Sequence, residues 1–275
     1  MKIKRLILIF ILAFAFSQLT SYADQGHSGC VIIYGDTRTN HAIHQKIVNR
    51  IMENNPDVVF HAGDLVGNGL NPEDWVIFNK ITDGLRKTAE VYPTLGNHEK
   101  SSPLYFKNFN LPNNGRWYSL DRAGIHFIIL DSNSVLNTGS EQYRWLEDNL
   151  KSVDKKTKFV IVIFHHPIFS STRSHADVKG LKHITSLLER YSVNIVFSGH
   201  AHNYERFYYN KIYYIVTGGG GAPLYGGTHK VEYSELFAAV YHFCKLSISS
   251  NQLTVTAIDI DSNVVDEFTV KNDIH

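Results

Sequence analysis

Apolar and polar positions alternate along the chain in a way that predicts strands and helices in turn. Short apolar runs that end in a loop signal predict strands at "CVIIYGD", "PDVVFHAGD", "AEVYPTLGNHE", "KFVIVIFHHP" and "VNIVFSGHAH". Between the first two, Asn40 can cap a helix over roughly residues 41–55, whose isoleucines share one face. Further helices are expected from Pro72 to about Lys87, from Gly139 to Val153 and from about Lys179 to Tyr191.

The rest of the pattern is rich in strands. "WYSLDRAGIHFIILD" is typical of a hairpin that turns at residues 121–124. From "KIYYIVTGGGG" onward, strands are expected at "FAAVYHFCKLSIS", "QLTVTAIDI" and "VVDEFTV". No repeat, linker or low-complexity tract divides residues 24–275, so we expect one domain of mixed α/β layers, in which this antiparallel end closes a second sheet.

The composition is that of an ordinary globular protein, with 43% hydrophobic and 19% charged residues in a chain of 275. The formal net charge is +1 and the charges form no basic block. A general electrostatic affinity for nucleic acid is therefore not expected.

The N-terminus has the pattern of an export signal. Three basic residues among the first five precede an unbroken apolar run over residues 6–16, and small residues follow at Ser21 and Ala23. The run is shorter than the roughly 20 residues of a spanning helix, so a signal peptide over residues 1–23 is favoured over a short anchor or a buried strand. We expect a secreted or periplasmic protein without a stable membrane anchor.

The chain has two cysteines, Cys30 and Cys244, in predicted strands at opposite ends of the sequence. An oxidising compartment permits a disulfide between them. Two buried thiols are the alternative.

Polar side chains of the types that can bind metals follow five of the predicted strands. In open α/β sheets, such residues gather beyond the carboxyl ends of the strands. His200 and His202 lie two residues apart and can therefore reach one point. The full set is Asp36, Asp64, Asn97 with His98, His165 with His166, and His200 with His202.

In this order the residues resemble the calcineurin-like metallophosphoesterase family. The matching motifs are "GDTR" at Gly35–Arg38, "GDL" at Gly63–Leu65, "GNHE" at Gly96–Glu99, "HHP" at His165–Pro167 and "GHAH" at Gly199–His202. "GHAHNYER" is most similar to the purple acid phosphatase branch, and His175 stands where that branch places a substrate-facing histidine. The fold we expect is an α/β/β/α sandwich of two mixed sheets flanked by helices.

The resemblance implies a centre with two metal ions. Asp64 would bridge them; Asp36 and His202 would complete the first site, and Asn97, His165 and His200 the second. Two such ions, about 3.5–4 Å apart, would acidify a shared water for in-line attack on a phosphate mono- or diester. Nitrogen and oxygen ligands without thiolate fit manganese, iron or zinc.

Two further histidines would act on a small phosphorylated substrate. His98, beside a ligand, would contact phosphate or donate a proton to the leaving oxygen, and His175 is a second candidate for that donation.

The chain departs from the family pattern at the first metal site. The wider family has a histidine at position 38, where this chain has Arg38, and the purple branch has a tyrosine at position 67, where it has Gly67. A guanidinium has no lone pair for a metal, but it can bind substrate phosphate; the alternative is a solvated loop residue. His41 could supply the missing ligand, whereas His44 falls toward the apolar helix face.

This departure also favours a second class of function, a phosphate- or metal-binding protein on the same scaffold without turnover. The chain's retention of Asp36 favours the hydrolase.

"TGGGGAPLYGG" lacks the Lys-Ser/Thr of a nucleotide-binding loop, and its glycines are expected to let the backbone pass close to the metal centre. Tyr204, Tyr225 and His166 are possible pocket residues. Substrate specificity is expected in the loops over residues 67–74, 101–116 and 170–179.

Overall fold

The structure of the protein is a computed structural model that describes residues 29–172, 175–177, 179–227, 229–249 and 251–272. The expected signal peptide over residues 1–23 lies outside these ranges. No helix in the part of the chain that is described is long and apolar enough to cross a membrane.

The first sheet combines N-terminal and C-terminal strands. Its members are β1 (Val31–Tyr34), β2 (Val58–His61), β3 (Glu90–Pro93), β11 (His242–Ser249), β12 (Gln252–Asp259) and β13 (Val264–Lys271), in the order β13-β12-β11-β1-β2-β3. β1, β2 and β3 are parallel, and β11 pairs antiparallel with β1. The prediction that the C-terminal strands close a second sheet was therefore wrong, because they extend the first one.

The second sheet consists of β4 (Tyr118–Arg122), β5 (Ile125–Ile129), β6 (Phe159–Ile163), β7 (Ile195–Ser198), β8 (Tyr204–Tyr209), β9 (Ile212–Thr217) and β10 (Ser234–Ala238). They are arranged as β10-β8-β9-β7-β6-β5-β4, and β5, β6, β7 and β9 are parallel. The expected hairpin is β4–β5. The segment predicted as one strand, "FAAVYHFCKLSIS", divides between the sheets, with its first residues in β10 and its later residues in β11.

The helices are α1 (His41–Glu53), α2 (Pro72–Thr88), α3 (Pro103–Asn108), α4 (Glu141–Lys151) and α5 (Thr185–Arg190), with a 3₁₀ turn at Leu181–Ile184 before α5. The side chain of Asn40 caps α1 by accepting a hydrogen bond from the backbone of Ile43, as the sequence predicts. α3 was not predicted, and the helix expected from about Lys179 begins as the 3₁₀ turn.

Three apolar clusters separate the four layers. Val31 and Ile33 of β1 pack with Phe127 and Ile161 of the second sheet, which forms the core between the sheets. The opposite face of β1 packs on α1 and α2. The outer face of the second sheet, with Ile128 and Val162, packs on α4 and α5. This confirms the α/β/β/α sandwich.

Both cysteines are free thiols. Cys244 lies opposite Ile33 in the β1–β11 register, three positions from Cys30, so the two side chains do not face each other. Cys244 is buried, and burial raises the pKa of its thiol to about 12.

Candidate metal centre

The loops after β1 and β2 hold two carboxylates side by side. The backbone N–H of Asp36 donates to the Gly63 carbonyl at 3.0 Å, and that of Thr37 donates to the Asp64 carbonyl at 3.0 Å. Both aspartates have left-handed backbones, with φ of 60° and 56°. This conformation turns both buried side chains toward the same point beyond the sheet.

Glycines allow the neighbouring loops to approach these acids. A Cβ added at Gly199 would lie 2.4 Å from Oδ2 of Asp36, and one added at Gly96 would lie 2.2 Å from the backbone nitrogen of Asp64. Distances this short exclude a side chain, so glycine at both places is a condition for closing the site.

A first group of ligand atoms comes from Asp36, Asp64 and His202, one from each residue, all within 4.8 Å of one another. Nε2 of His202 lies 3.5 Å from Oδ1 of Asp36. Nδ1 of His202 is hydrogen-bonded to the Pro223 carbonyl at 2.8 Å, which requires Nδ1–H as the donor and leaves Nε2 with its lone pair toward the centre.

A second group comes from His165, His166 and His200, again within 4.8 Å. Nε2 of His165 lies 3.3 Å from Oδ1 of Asp64 and 3.1 Å from Oδ1 of Asn97. Nδ1 of His165 donates to the Ala62 carbonyl at 2.8 Å, so this ring also presents Nε2 to the centre. Asp64 is thus next to both groups.

The imidazoles of the centre favour the neutral form that binds metals. Burial lowers the pKa of His166 to about 2 and that of His202 to about 4, and it lowers the pKa of His165 and of His200 as well. Burial and the neighbouring Asp64 raise the pKa of Asp36. A cation bound beside Asp36 would lower this pKa again and so favour the charged carboxylate.

The residues present fit a metal ion. Among the described residues, no hydrogen-bond partner reaches Oδ1 of Asp36, a buried carboxylate oxygen that faces His202. An acceptor of this kind is costly to bury unless a cation or donor meets it. Imidazole nitrogens with carboxylate and amide oxygens suit manganese, iron or zinc.

Glu99 holds the loops of the centre together, a position that the sequence analysis did not assign to it. It is fully buried, and its carboxylate accepts backbone hydrogen bonds from Asp64 at 3.0 Å, from Leu65 at 2.9 Å and from Gly96 at 2.7 Å. It thereby joins the loop after β2 to the loop after β3. The signal for Glu99 was present in the "GNHE" motif, where this acid directly follows the candidates Asn97 and His98.

The end of β5 supplies two more supporting residues. The hydroxyl of Ser132 lies 2.8 Å from Nδ1 of His166, and the amide of Asn133 donates to the Leu95 and Gly96 carbonyls at 3.1 and 3.2 Å. "LDSNS" follows an apolar run in the same manner as the recognised motifs, so its position at a strand end was an available signal.

Arg38 points into the first ligand group. Its Nε lies 3.4 Å from Oδ2 of Asp64, and its Nη2 lies 3.4 Å from Nε2 of His202. The side chain is 19% exposed. The alternative of a solvated loop residue is therefore excluded.

The two candidate proton donors contact different residues of the centre. The backbone N–H of His98 donates to Oδ1 of Asp64 at 3.0 Å, and its Nε2 lies 3.8 Å from Oδ2 of that acid. The ring of His175 lies 4.7 Å from that of His200 and 4.7 Å from that of Tyr225. Tyr225 also stacks on His202, with centroids 4.2 Å apart, so it borders the centre.

Other candidates lie elsewhere. His44 is buried against Phe78 and Tyr34, as expected, and His41 is exposed and belongs to neither ligand group. Tyr204 was wrong as a pocket residue, because its hydroxyl is buried and donates to Asp266 at 2.7 Å.

The glycine-rich segment passes close to the centre. A Cβ added at Gly218 would lie 2.2 Å from the Ala201 carbonyl oxygen and 2.9 Å from Oδ2 of Asp36. The next residues continue this contact, since the N–H of Ala222 donates to the Asp36 carbonyl at 2.8 Å. The expectation of a close backbone approach holds.

Comparisons with known proteins agree with this geometry. The family model of the calcineurin-like phosphoesterases matches residues 31–204. Purple acid phosphatase 21 of Arabidopsis thaliana is 34% identical over 202 residues, which cover 64% of this chain and 46% of that protein. Probable purple acid phosphatase 20 of the same plant is 33% identical over 195 residues, which cover 60% of this chain and 45% of the relative.

The fold is similar to that of purple acid phosphatase PPD1 from yellow lupin (Lupinus luteus) seeds. The TM-score is 0.80 at 23% sequence identity, over 88% of this chain and 53% of the lupin chain. The chain spans about half the length of the curated relatives it matches, 46% and 45% for the two plant proteins.

Proposed function

The chain belongs to the calcineurin-like phosphoesterase family, and we propose that it hydrolyses phosphate mono- or diesters with the help of bound metal. The observation that carries this proposal is the convergence of ligand candidates from five loops in two adjoining groups. Asp36, Asp64 and His202 form one group and His165, His166 and His200 the other, each within 4.8 Å. His165 joins them, since its Nε2 lies 3.3 Å from Asp64 and 3.1 Å from Asn97. Structural ion pairs do not require this concentration of buried neutral histidines.

Metal bound by these ligands would supply an acidified water and would stabilise the negative charge of the phosphoryl oxygens. Asn97, His165 and His200 with Asp64 would hold an ion at the second position, whereas Asp36, Asp64 and His202 form a first position that also contains Arg38. The backbone N–H of His200 donates to Oδ2 of Asp36 at 2.9 Å, which fixes the carboxylate relative to the second position.

The chain's own residues would bind the substrate and move its proton. Nδ1 of His98 is 2.6 Å from the Gly67 carbonyl and therefore carries a proton as a donor, so Nε2 gains a proton only in the imidazolium form. That form can protonate a leaving oxygen, and its Nε2 lies 3.8 Å from Oδ2 of Asp64, at the edge of the centre. His175, whose ring lies 4.7 Å from that of His200, is the second proposed donor.

Arg38 is also compatible with a second candidate function. A guanidinium inside the first ligand group is compatible with a protein that binds phosphate or one ion without turnover. The same guanidinium can orient a substrate phosphate, so Arg38 alone does not separate the two functions.

One experiment separates them. The purified chain would be assayed with p-nitrophenyl phosphate and bis(p-nitrophenyl) phosphate before and after metal removal, with metal content measured on the same samples. We expect turnover that disappears with chelator and returns with Mn²⁺, Fe²⁺ or Zn²⁺. Bound metal without turnover of either ester would support the binding protein.

We further propose export, on the basis of the basic and apolar pattern over residues 1–23. N-terminal sequencing of the protein recovered outside the cytoplasm should begin at Asp24. Recovery of the intact N-terminus in the cytoplasm would contradict this proposal.

A further inference from the structure

The side chain of Arg38 lies within the first ligand group. Its two closest partners in that group are Oδ2 of Asp64 and Nε2 of His202, each 3.4 Å away. Both atoms are ones that a metal ion at the first position would use. Arg38 therefore contacts the same atoms that an ion at the first position would need as ligands.

The lone pair on Nε2 of His202 can bind either Arg38 or a metal ion, but not both. Nδ1 of His202 donates to the Pro223 carbonyl, so Nε2 is the only acceptor atom on the ring. When Nη2 of Arg38 donates to Nε2, that lone pair is not available to an ion. The first position then has only the two carboxylates.

The positive charge of Arg38 also disfavours a metal ion at the first position. The guanidinium is always protonated, and the carboxylates of Asp36 and Asp64 are the charged groups it faces at this position. A divalent ion at the second position together with Arg38 already exceeds their negative charge. A second divalent ion beside the guanidinium would be repelled, and burial strengthens that repulsion.

We propose that Arg38 takes the part of the first metal ion as a fixed positive charge, so that the centre binds a single ion tightly at the second position. This deepens the proposed function and rests on it for the role of the charge. Nε of Arg38 is buried and has no hydrogen-bond partner among the described residues, so it can donate to a phosphoryl oxygen when substrate binds.

Metal stoichiometry tests this proposal without an activity assay. The full chain would be stripped with chelator, reloaded with excess Mn²⁺, desalted and analysed by elemental analysis and by electron paramagnetic resonance. The wild type should retain about one ion per chain with the spectrum of an isolated Mn²⁺. Arg38→His, which supplies an imidazole at that position, should retain about two, with an exchange-coupled spectrum.

Arg38→Lys is the matched control, since it keeps the charge without a ligand lone pair and should retain about one ion. Two tightly bound, coupled ions in the wild type would overturn the proposal without reference to any variant. An unchanged stoichiometry in a folded Arg38→His variant would overturn the role of Arg38. Phosphoester turnover by a two-ion wild type would refute this inference alone, whereas a one-ion protein without turnover would refute the proposed function alone.

Discussion

The carboxylate of Glu99 accepts a hydrogen bond from the backbone N–H of Asp64 at 3.0 Å, so a buried acid holds the central ligand candidate from behind. The same carboxylate oxygen accepts from Gly96 at 2.7 Å, and the other oxygen accepts from Leu65 at 2.9 Å. The position of Asp64 therefore depends on Glu99, a side chain that belongs to neither ligand group.

Glu99→Gln should loosen this loop. The amide keeps one acceptor oxygen but turns an NH₂ group toward backbone N–H donors, which should cost about 1–3 kcal/mol of unfolding free energy and weaken metal binding. Urea unfolding and metal titration would measure both effects. Glu90→Gln, at an exposed surface ion pair with Arg122, is the control and should change stability by less than about 1 kcal/mol. Equal effects of the two substitutions would show that Glu99 has no special role.

Asp64→Asn should lower both metal content and phosphoester turnover, because it removes the charge next to both ligand groups. The loss should exceed the roughly 10–100-fold effect of removing an outer hydrogen-bond partner of a ligand. Asp83→Asn, on the exposed side of α2, provides the control, with metal content and rate expected to match the wild type. A variant at Asp64 that kept its metal and its rate would show that the assignment of this ligand is wrong.

His175→Ala should leave metal content unchanged while it slows turnover of esters with poor leaving groups, by roughly 10²–10⁴-fold if a proton donor is lost. Esters with good leaving groups should be affected much less, since their oxygens need no proton. His41→Ala, at an exposed position in α1, serves as the histidine control. The same slowing for both kinds of ester would argue for a role in binding instead.

Acid should destabilise the fold through His44, which lies outside the metal centre. Burial lowers the pKa of this histidine from 6.5 to about 3, so the unfolded chain binds a proton below pH 6.5 that the folded chain does not. His44 therefore has no destabilising effect above pH 6.5, and its own contribution lowers the free energy of unfolding by about 1.4 kcal/mol per pH unit as the pH falls toward 3. His44→Gln should flatten this slope when metal-free protein is unfolded with urea at several pH values. An identical slope would mean that His44 is protonated in the fold.

The strand-end residues were predictable from the sequence because parallel strands place their carboxyl ends at one edge of a sheet. Asp36, Asp64, His165 and His202 each follow the end of a strand within a few residues. The structure groups Asp36, Asp64 and His202, with His165 3.3 Å from Asp64. Their proposed roles as ligands stay predictions until metal binding is measured.

The supporting residues were harder to find because their partners are distant in sequence. The motifs mark Glu99 and Asn133 as candidates, but they do not indicate that Glu99 accepts from the backbone of Asp64 or that Asn133 donates to that of Gly96. The sheet of the C-terminal strands was assigned wrongly for a related reason. The alternation of β11 buries one face equally well in either sheet, so only its pairing with β1 decides the place. β8 was missed because "YERFYY" contains a charged pair within a strand.

The antiparallel pairing of β1 with β11 also determines when the chain can fold. Ile33 finds its neighbour only after Cys244 has left the ribosome, so the strand that delivers Asp36 stays unpaired on one side throughout most of synthesis. Contacts of such long range form slowly and favour late, cooperative closure of the whole layer. In a nascent chain with this delay, the loop that carries Asp36 gains its complete sheet support only after β11 has been synthesised, so the candidate metal centre is assembled at the end of folding.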